Sequence, residues 1–130
     1  MKILLDGSNV LYWRGGHPDA QAPSMVLRAL IARRFSPVVY FDHSIHLHLT
    51  GDDLESLGQS VQIYIAPRGT QADVLLLDAC GNGRTQIVSA DGFEDWRRDY
   101  PMLRRDWLVN GRIGKGGKVS FSKKLRPAPL

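Results

Sequence analysis

The sequence predicts an α/β fold in which helices cover both faces of a mostly parallel sheet. Four short apolar runs rich in Val and Ile are typical of buried strands, and their near-continuous apolarity favours parallel pairing. Each run ends at small or acidic residues and leads into a stretch with helical character, which is the alternation that α/β proteins show. A chain of 130 residues has the length of one domain.

The four predicted strands occur at intervals along the chain, and each leads into a predicted loop. In order, the strands are residues 2–5 (KILL), 37–41 (PVVYF), 61–66 (VQIYIA) and 85–90 (TQIVSA). The residues that follow them begin with Asp6, Asp42, Pro67 and Asp91. Because the strands are parallel, these loops are expected at the same edge of the sheet.

Helices are predicted between these strands from apolar spacing and from capping residues. Apolar residues at 26, 27, 30 and 31 recur with a helical period after Ser24, and Arg33 and Arg34 are expected in the last turn, where cations suit the helix dipole. Three further helix starts pair a capping residue with an acid three positions later. These pairs are Thr50 with Asp53, Thr70 with Asp73, and Asp91 with Glu94.

The C-terminal part of the chain is expected to contain a last pair of strands. Residues 106–110 and 118–121 are apolar or extended in character and flank a turn rich in Gly and Lys. The sequence shows no internal repeat and no interdomain linker. We therefore expect one domain over residues 1–125 and a frayed tail over residues 126–130.

Composition excludes several classes of protein. With 43% hydrophobic and 23% charged residues, the chain is neither disordered nor fibrous. No apolar run approaches the ~20 residues that span a bilayer, and the first residues lack the apolar core of a secretory signal. The single cysteine, Cys80, cannot form an internal disulfide. We expect a cytoplasmic protein without membrane contact.

Charge is distributed unevenly along the chain. Residues 1–96 contain 7 Lys and Arg against 11 Asp and Glu, a net charge of −4, whereas residues 97–126 contain 10 Lys and Arg against 2 Asp, a net charge of +8. This division is typical of a protein that binds a polyanion and keeps its carboxylates for another task. A basic segment that serves only solubility is the alternative interpretation.

Four carboxylates are predicted at one edge of the sheet. Asp6, Asp42 and Asp91 follow predicted strands, and Asp73 begins the helix after the third strand. Carboxylates gathered within ~4 to 6 Å repel one another unless a cation neutralises them, and their hard oxygens suit Mg²⁺ or Mn²⁺. Helix capping alone is the alternative for Asp73 and Asp91, and a structural role is an equal alternative for Asp42.

Two segments resemble a known family. Residues 3–10 (ILLDGSNV), Asp73 at the start of an apolar helix, and residues 87–95 (IVSADGFED) are similar in order and spacing to the NYN domain of the PIN-like nuclease superfamily. The similarity is greatest to the branch found in the CCCH-zinc-finger ribonucleases, and it extends from residue 3 to about residue 121. It covers most of the chain.

The resemblance implies a Rossmann-like, three-layer α/β/α fold and an endoribonuclease site that depends on Mg²⁺ or Mn²⁺. By position, Asp6, Asp73 and Asp91 would be the catalytic, metal-binding acids. It gives supporting roles to Asn9 and Ser89, whereas Asp42 and Asp95 are supporting candidates from their own positions, after a strand and four residues after Asp91. Two departures bear on activity, because Ala72 and Ala90 stand where that branch commonly has an acid and an Asn.

Basic and aromatic residues are candidates for contact with nucleic acid. Trp13 and Arg14 follow the DGSN segment on a loop that is expected to overhang the cleft. In the basic C-terminal segment, Arg112, Lys115 and Lys118 are candidates for contact with backbone phosphates.

The leading hypothesis is a metal-dependent endoribonuclease that cleaves phosphodiester bonds with a metal-activated water. Its expected partner is RNA, single-stranded or structured, and a homodimer is a further candidate. The rival hypothesis is a catalytically weak nucleic-acid-binding module, suggested by Ala72. A phosphotransfer receiver domain also gathers acids at strand ends, but the Lys expected opposite them is missing.

Overall fold

The structure, a computed structural model, describes residues 1–81 and 84–126. Its central sheet has five parallel strands in the order β3-β2-β1-β4-β5. They are β1 Lys2–Asp6, β2 Ser36–Phe41, β3 Gln62–Ile65, β4 Ile87–Val88 and β5 Leu108–Val109. A separate antiparallel ribbon pairs β6 Gly111–Ile113 with β7 Val119–Phe121.

In the described part of the chain, four α-helices and four short 3₁₀ helices accompany the strands. The α-helices are α1 Gly7–Val10, α2 Ala22–Ala32, α3 Gly51–Gly58 and α4 Ala72–Cys80. The 3₁₀ helices are His43–Leu47, Glu94–Trp96, Arg105–Trp107 and Lys115–Gly117. Within the described ranges, no helix is long and apolar enough to cross a membrane.

Apolar side chains of the sheet build a core on each of its faces. In β1, Ile3 and Leu5 join the cluster that contains Leu30 of α2, whereas Leu4 joins the cluster that contains Leu76 of α4. Successive side chains of a strand point to opposite faces, which explains this division. The predicted Rossmann-like α/β/α sandwich is therefore confirmed.

The predicted terminal strand pair is wrong in its pairing. Leu108 and Val109 form β5, which pairs in parallel with β4, and the Val109 carbonyl accepts a hydrogen bond from the Ser89 N–H at 2.9 Å. The ribbon instead begins at Gly111. Val109 is fully buried at this position, so pairing with β4 both satisfies its backbone and removes its side chain from water.

The predicted helix starts have different outcomes. Thr50 and Asp53 form the expected capping box, with Oγ1 of Thr50 accepting from the Asp53 N–H at 3.1 Å. Thr70 does not cap α4. The residue that directly precedes this helix is Gln71, and its side chain forms no capping hydrogen bond. Asp91 and Glu94 do not begin an α-helix, since only the 3₁₀ turn Glu94–Trp96 forms there.

The end of one predicted helix and the start of the predicted tail also differ from the structure. Helix α2 ends at Ala32, so Arg33 and Arg34 lie just beyond its last turn rather than within it. Of the predicted tail over residues 126–130, Arg126 donates its backbone N–H to Oε1 of Gln86 at 2.6 Å. Residues 127–130 lie outside the described part of the chain.

Candidate active site

The candidate site lies at the carboxyl edge of the parallel sheet. Asp6 is the last residue of β1, which is paired on both sides by β2 and β4. Its side chain is buried, with only 6% of the residue exposed. Asp42 follows β2, Asp91 follows β4 after two intervening residues, and Asp73 lies in the first turn of α4.

Asp6 is held by two hydrogen bonds in a buried environment. Ser89 Oγ donates to Oδ2 of Asp6 at 2.8 Å, and the backbone N–H of Asn9 donates to Oδ1 at 3.3 Å. The pKa of Asp6 is raised to about 7, because burial and the charges of Asp73 and Asp91 together outweigh the two hydrogen bonds, which lower it. Asp6 therefore titrates near neutral pH.

Asp73 is a partly buried carboxylate at the start of α4. Burial raises its pKa, and the neighbouring charges of Asp91 and Asp42 add to the rise. The indole Nε1 of Trp96 donates to Oδ2 of Asp73 at 2.9 Å and partly offsets this effect. Asp73 interacts electrostatically with the carboxylates around it, which places these acids in one cluster.

The loop after β4 presents Asp91 through a chain of local hydrogen bonds. The Asp91 N–H donates to Ser89 Oγ at 3.0 Å, so Ser89 bridges Asp91 to Asp6. Oδ1 of Asp91 accepts from the Phe93 N–H at 2.8 Å, and Phe93 has a left-handed φ of 54°. This tight turn fixes the direction of the Asp91 carboxylate.

Asn9, a residue of α1, connects the segment after β1 to the loop after β4. Its Oδ1 accepts from the backbone N–H of Ala90 at 2.8 Å and from the indole Nε1 of Trp13 at 2.9 Å. Because the donor is the backbone N–H of residue 90, this bond does not depend on the side chain at that position. Asn9 thus holds together the two loops that bear Asp6 and Asp91.

Trp13 does not overhang the cleft as predicted. Only 9% of it is exposed, and its ring packs edge-to-face against Phe121 with the centroids 6.5 Å apart. A ring buried in this way is not available for stacking on a base. Its hydrogen bond to Asn9 gives it a supporting position behind the site.

Asp42 is engaged in the backbone of a neighbouring element. Its Oδ1 accepts from the backbone N–H of Ala72, the first residue of α4, at 2.7 Å. The Asp42 N–H in turn donates to Ser8 Oγ at 2.8 Å. Asp42, which follows β2, therefore caps the start of α4 from a distant part of the sequence. This cap takes the place of the local one that α4 lacks.

An acidic pocket of about 360 Å³ adjoins Asp73 and Asp91. Asp95 lines it, as a supporting residue predicted from sequence. The five other lining residues were not predicted as site residues, namely Gln71, Phe93, Glu94, Trp96 and Asp99. Glu94 and Asp99 are close in sequence to Asp95, which was predicted. Their place in the pocket follows from the 3₁₀ turn Glu94–Trp96, which the sequence did not predict.

The described residues of the site offer the carboxylate oxygens that divalent cations prefer as ligands, but they do not form a preformed metal-binding cluster. Among the described residues, no three His, Cys, Asp or Glu side chains stand close enough to form one. Mg²⁺ usually keeps several waters and is held by one or two carboxylates together with substrate phosphates. The electrostatically coupled carboxylates Asp6, Asp73 and Asp91 fit that mode of binding.

The predicted basic contacts are divided between different surfaces. Arg14 pairs with Asp19 at 2.6 Å and lines a groove with Lys115. Arg112 lines a separate hollow beside Ser120. Lys118 is exposed at the end of the ribbon turn, where its carbonyl accepts from the Gly114 N–H at 2.8 Å. The structure does not bring these four cations to one place.

Comparison with known proteins identifies the fold. No profile of a known protein family matches the sequence, and no protein with a curated description is detectably similar in sequence. The crystal structure of nuclear proteinaceous RNase P 2 (PRORP2) from A. thaliana is similar with a TM-score of 0.66 and 16% identity over 98% of this chain. A second structure, of Arabidopsis thaliana nuclear protein-only RNase P 2, has a TM-score of 0.67 and 17% identity over 93% of this chain.

The similarity covers a part of those proteins. This chain corresponds to 30% and 29% of the two PRORP2 chains. At this level of identity the comparison shows a shared fold.

Proposed function

We propose that this chain is an NYN-type domain of the PIN-like nucleases and a metal-dependent endoribonuclease that hydrolyses RNA phosphodiester bonds. The proposal rests on one observation above all. Asp6, Asp73 and Asp91 come from three separate segments at the carboxyl edge of the sheet, and the charges of Asp73 and Asp91 act on Asp6. The fold shared with proteins named RNase P supports RNA as the substrate.

Under this proposal the three aspartates hold Mg²⁺ or Mn²⁺. The cation, when bound, supplies a water of lowered pKa and neutralises charge on the scissile phosphate. Asp6 has to be ionised for this role; burial and the neighbouring carboxylates disfavour that form, and a bound cation would favour it. Ser89 orients Asp6 through its Oγ and the backbone of Asp91 through the same atom.

Asn9 and the acidic pocket complete the proposed site. With its Oδ1 occupied by Ala90 and Trp13, Asn9 keeps its amide NH₂ group as the donor for a phosphate oxygen. Asp95 acts as an outer group that lines the pocket. A cytoplasmic location remains a prediction from sequence.

The direct test is a cleavage assay on labelled single-stranded and duplex RNA and DNA in Mg²⁺, Mn²⁺ or EDTA. We expect RNA cleavage with either cation, none in EDTA, and at least a ~100-fold lower rate for Asp6→Asn, as expected when a cation site loses a ligand. Asp52→Asn is the matched control, because Asp52 is an exposed acid of α3. Cleavage that persists in EDTA, or that survives Asp6→Asn, contradicts the proposal.

The second candidate function is nucleic-acid binding with weak or no hydrolysis. It is favoured by Ala72, which is only 2% exposed and offers no carboxylate at the start of α4. RNA binding without cleavage in any cation would support this candidate. Introducing the missing acid as Ala72→Asp would test whether that position limits the rate, with Ala72→Asn as the control for size.

A further inference from the structure

A groove separate from the acidic pocket lies between α2 and the turn of the β6–β7 ribbon. Its volume is about 530 Å³. One wall contains Gln21, Met25 and Arg28 from the beginning and middle of α2, and the other is residues 113–117 of the ribbon. Arg14 and Gly15 complete the lining.

Every charged side chain that lines this groove is positive. The three are Arg14, Arg28 and Lys115. Asp19 partly offsets Arg14, but in the described residues neither Arg28 nor Lys115 forms an ion pair with a carboxylate. Both of these side chains are exposed. Two uncompensated cations facing one groove attract an anion that can contact both.

The turn of the β6–β7 ribbon packs against α2 on one side and leaves open space on the other. Gly116 and Gly117 have φ values of 74° and 80°, a conformation that residues with a Cβ rarely adopt. A Cβ at Gly117 would lie 2.8 Å from Cε of Met25, so the turn packs closely against α2. Around Gly116 there is open space, which lets a bulky ligand approach the backbone.

Trp13 connects this groove to the candidate active site. Its carbonyl accepts from the N–H of Ile113, which lines the groove, at 3.5 Å. Its indole donates to Asn9, which joins the loops of Asp6 and Asp91. Trp13 therefore contacts the groove wall through its backbone carbonyl and the candidate active site through its indole.

We propose that this groove binds the phosphate backbone of RNA that flanks the cleaved bond, an inference that rests on the proposed nuclease function. Arg28 is a binding residue here, together with Arg14 and Lys115, whereas Arg112 in its separate hollow is not. Contacts to phosphates do not depend on base sequence. Because the groove is separate from the carboxylate site, the preferred substrate is an RNA long enough to occupy both.

Binding measured without cleavage tests the groove directly. A fluorescent single-stranded RNA is titrated with protein in EDTA between ~50 and 300 mM salt. For Arg28→Ala/Lys115→Ala we expect roughly tenfold weaker binding at the lowest salt and a slope of log K against log salt shallower by about 1 to 1.5, since each single-strand phosphate contact contributes ~0.7. An unchanged slope overturns the inference.

Two further variants separate the groove from net charge and from misfolding. Lys2→Ala/Arg84→Ala removes the same charge at the opposite edge of the sheet, where Lys2 is the first residue of β1 and Arg84 precedes β4, and it should leave the slope unchanged. Gln21→Glu places a negative charge in the groove at the start of α2, where the helix dipole tolerates it. It should weaken binding without lowering the melting temperature. Equal effects of the groove and control pairs overturn the inference.

Cleavage of short and long RNA then distinguishes this inference from the proposed function. With Mg²⁺ present, Arg28→Ala/Lys115→Ala should raise KM several-fold for a 12-nucleotide RNA and leave a trinucleotide unaffected. Equal losses on both lengths overturn the groove assignment. If neither variant nor wild type cleaves, the nuclease proposal fails, while the binding slope in EDTA still decides whether the groove holds phosphates.

Discussion

Asp6 is the residue at which folding and the proposed chemistry conflict most. Its pKa of about 7, against 3.8 for an exposed Asp, means that ionisation is disfavoured in the folded protein. At pH 8, where the carboxyl is ionised in both states, this difference corresponds to about 4 kcal/mol of lost stability. Below pH 3.8 the penalty is absent, and it grows as pH rises through the interval up to about 7.

The first prediction follows from that sign. In metal-free buffer at pH 8, Asp6→Asn should stabilise the protein by about 2 kcal/mol, because the charge penalty disappears while one hydrogen bond with Ser89 or Asn9 is weakened. At pH 4 the gain should vanish. Urea denaturation at both pH values is the measurement, and a variant less stable than wild type at pH 8 would refute the assigned pKa.

Trp96 is one of the residues that sequence reasoning missed at this site. Its indole hydrogen bond to Asp73 joins residues 23 positions apart, so no local pattern could reveal it. The second prediction is that Trp96→Phe lowers kcat by roughly three- to tenfold, because Asp73 loses an orienting donor of ~1 kcal/mol. Its rate profile should also shift to higher pH, since the bond lowers the pKa of Asp73.

A control separates orientation from packing in that experiment. Phe keeps an aromatic ring against Tyr100, whose centroid lies 6.4 Å from that of Trp96. Trp107→Phe, at another partly buried tryptophan, should leave both kcat and the pH profile unchanged. A Trp96→Phe profile that coincides with wild type would show that the hydrogen bond does not act on Asp73.

At the scale of elements, helices α3 and α4 begin in two different ways. Helix α3 is capped within its own sequence by Thr50 and Asp53, a pattern visible in the amino acids. Helix α4 is capped by Asp42, which lies 30 residues earlier at the end of β2. The first cap is predictable from spacing, and the second exists only because β2 and α4 are adjacent in space.

The third prediction tests the long-range cap. Asp42→Ala should lower the free energy of unfolding by about 1 to 2 kcal/mol, the usual loss for a helix cap, because the Ala72 N–H loses its acceptor. Asp42→Asn should restore most of it, since the amide oxygen can accept the same bond. Chemical denaturation gives both values, and equal losses for Ala and Asn would mean that charge rather than capping is responsible.

Across the whole molecule, the candidate carboxylates and the cations of the basic groove occupy separate regions. The carboxylate cluster and the acidic pocket lie at the edge of the sheet, and the basic groove lies between α2 and the ribbon. This arrangement allows one cation and one polyanion to be bound at the same time. This division does not follow the uneven charge along the sequence, because Arg14 and Arg28 of the groove lie in the acidic part of the chain, residues 1–96.

The fourth prediction concerns cation binding to the whole site. Mg²⁺ or Mn²⁺ should raise the melting temperature of wild type at pH 8, and its apparent affinity should fall roughly 30-fold at pH 5.5, where a proton on Asp6 has to be displaced. Asp6→Asn should respond little at either pH. Thermal melts over a cation titration measure this, with Ca²⁺ as a comparison ion, and a response independent of pH would contradict the role of Asp6.

The amino-acid sequence by itself determined the parallel α/β architecture, because β-branched apolar runs of strand length can be buried on both faces only in such a sheet. It also placed Asp6, Asp73 and Asp91 at one edge, since the carboxyl ends of parallel strands coincide there. Only the tertiary structure decided that β5 joins the sheet, that Trp13 is buried, that Asp42 caps α4, and that Arg28 shares a groove with Lys115. Each of these depends on contacts between distant segments, and local periodicity contains no information about which distant partner a residue will meet.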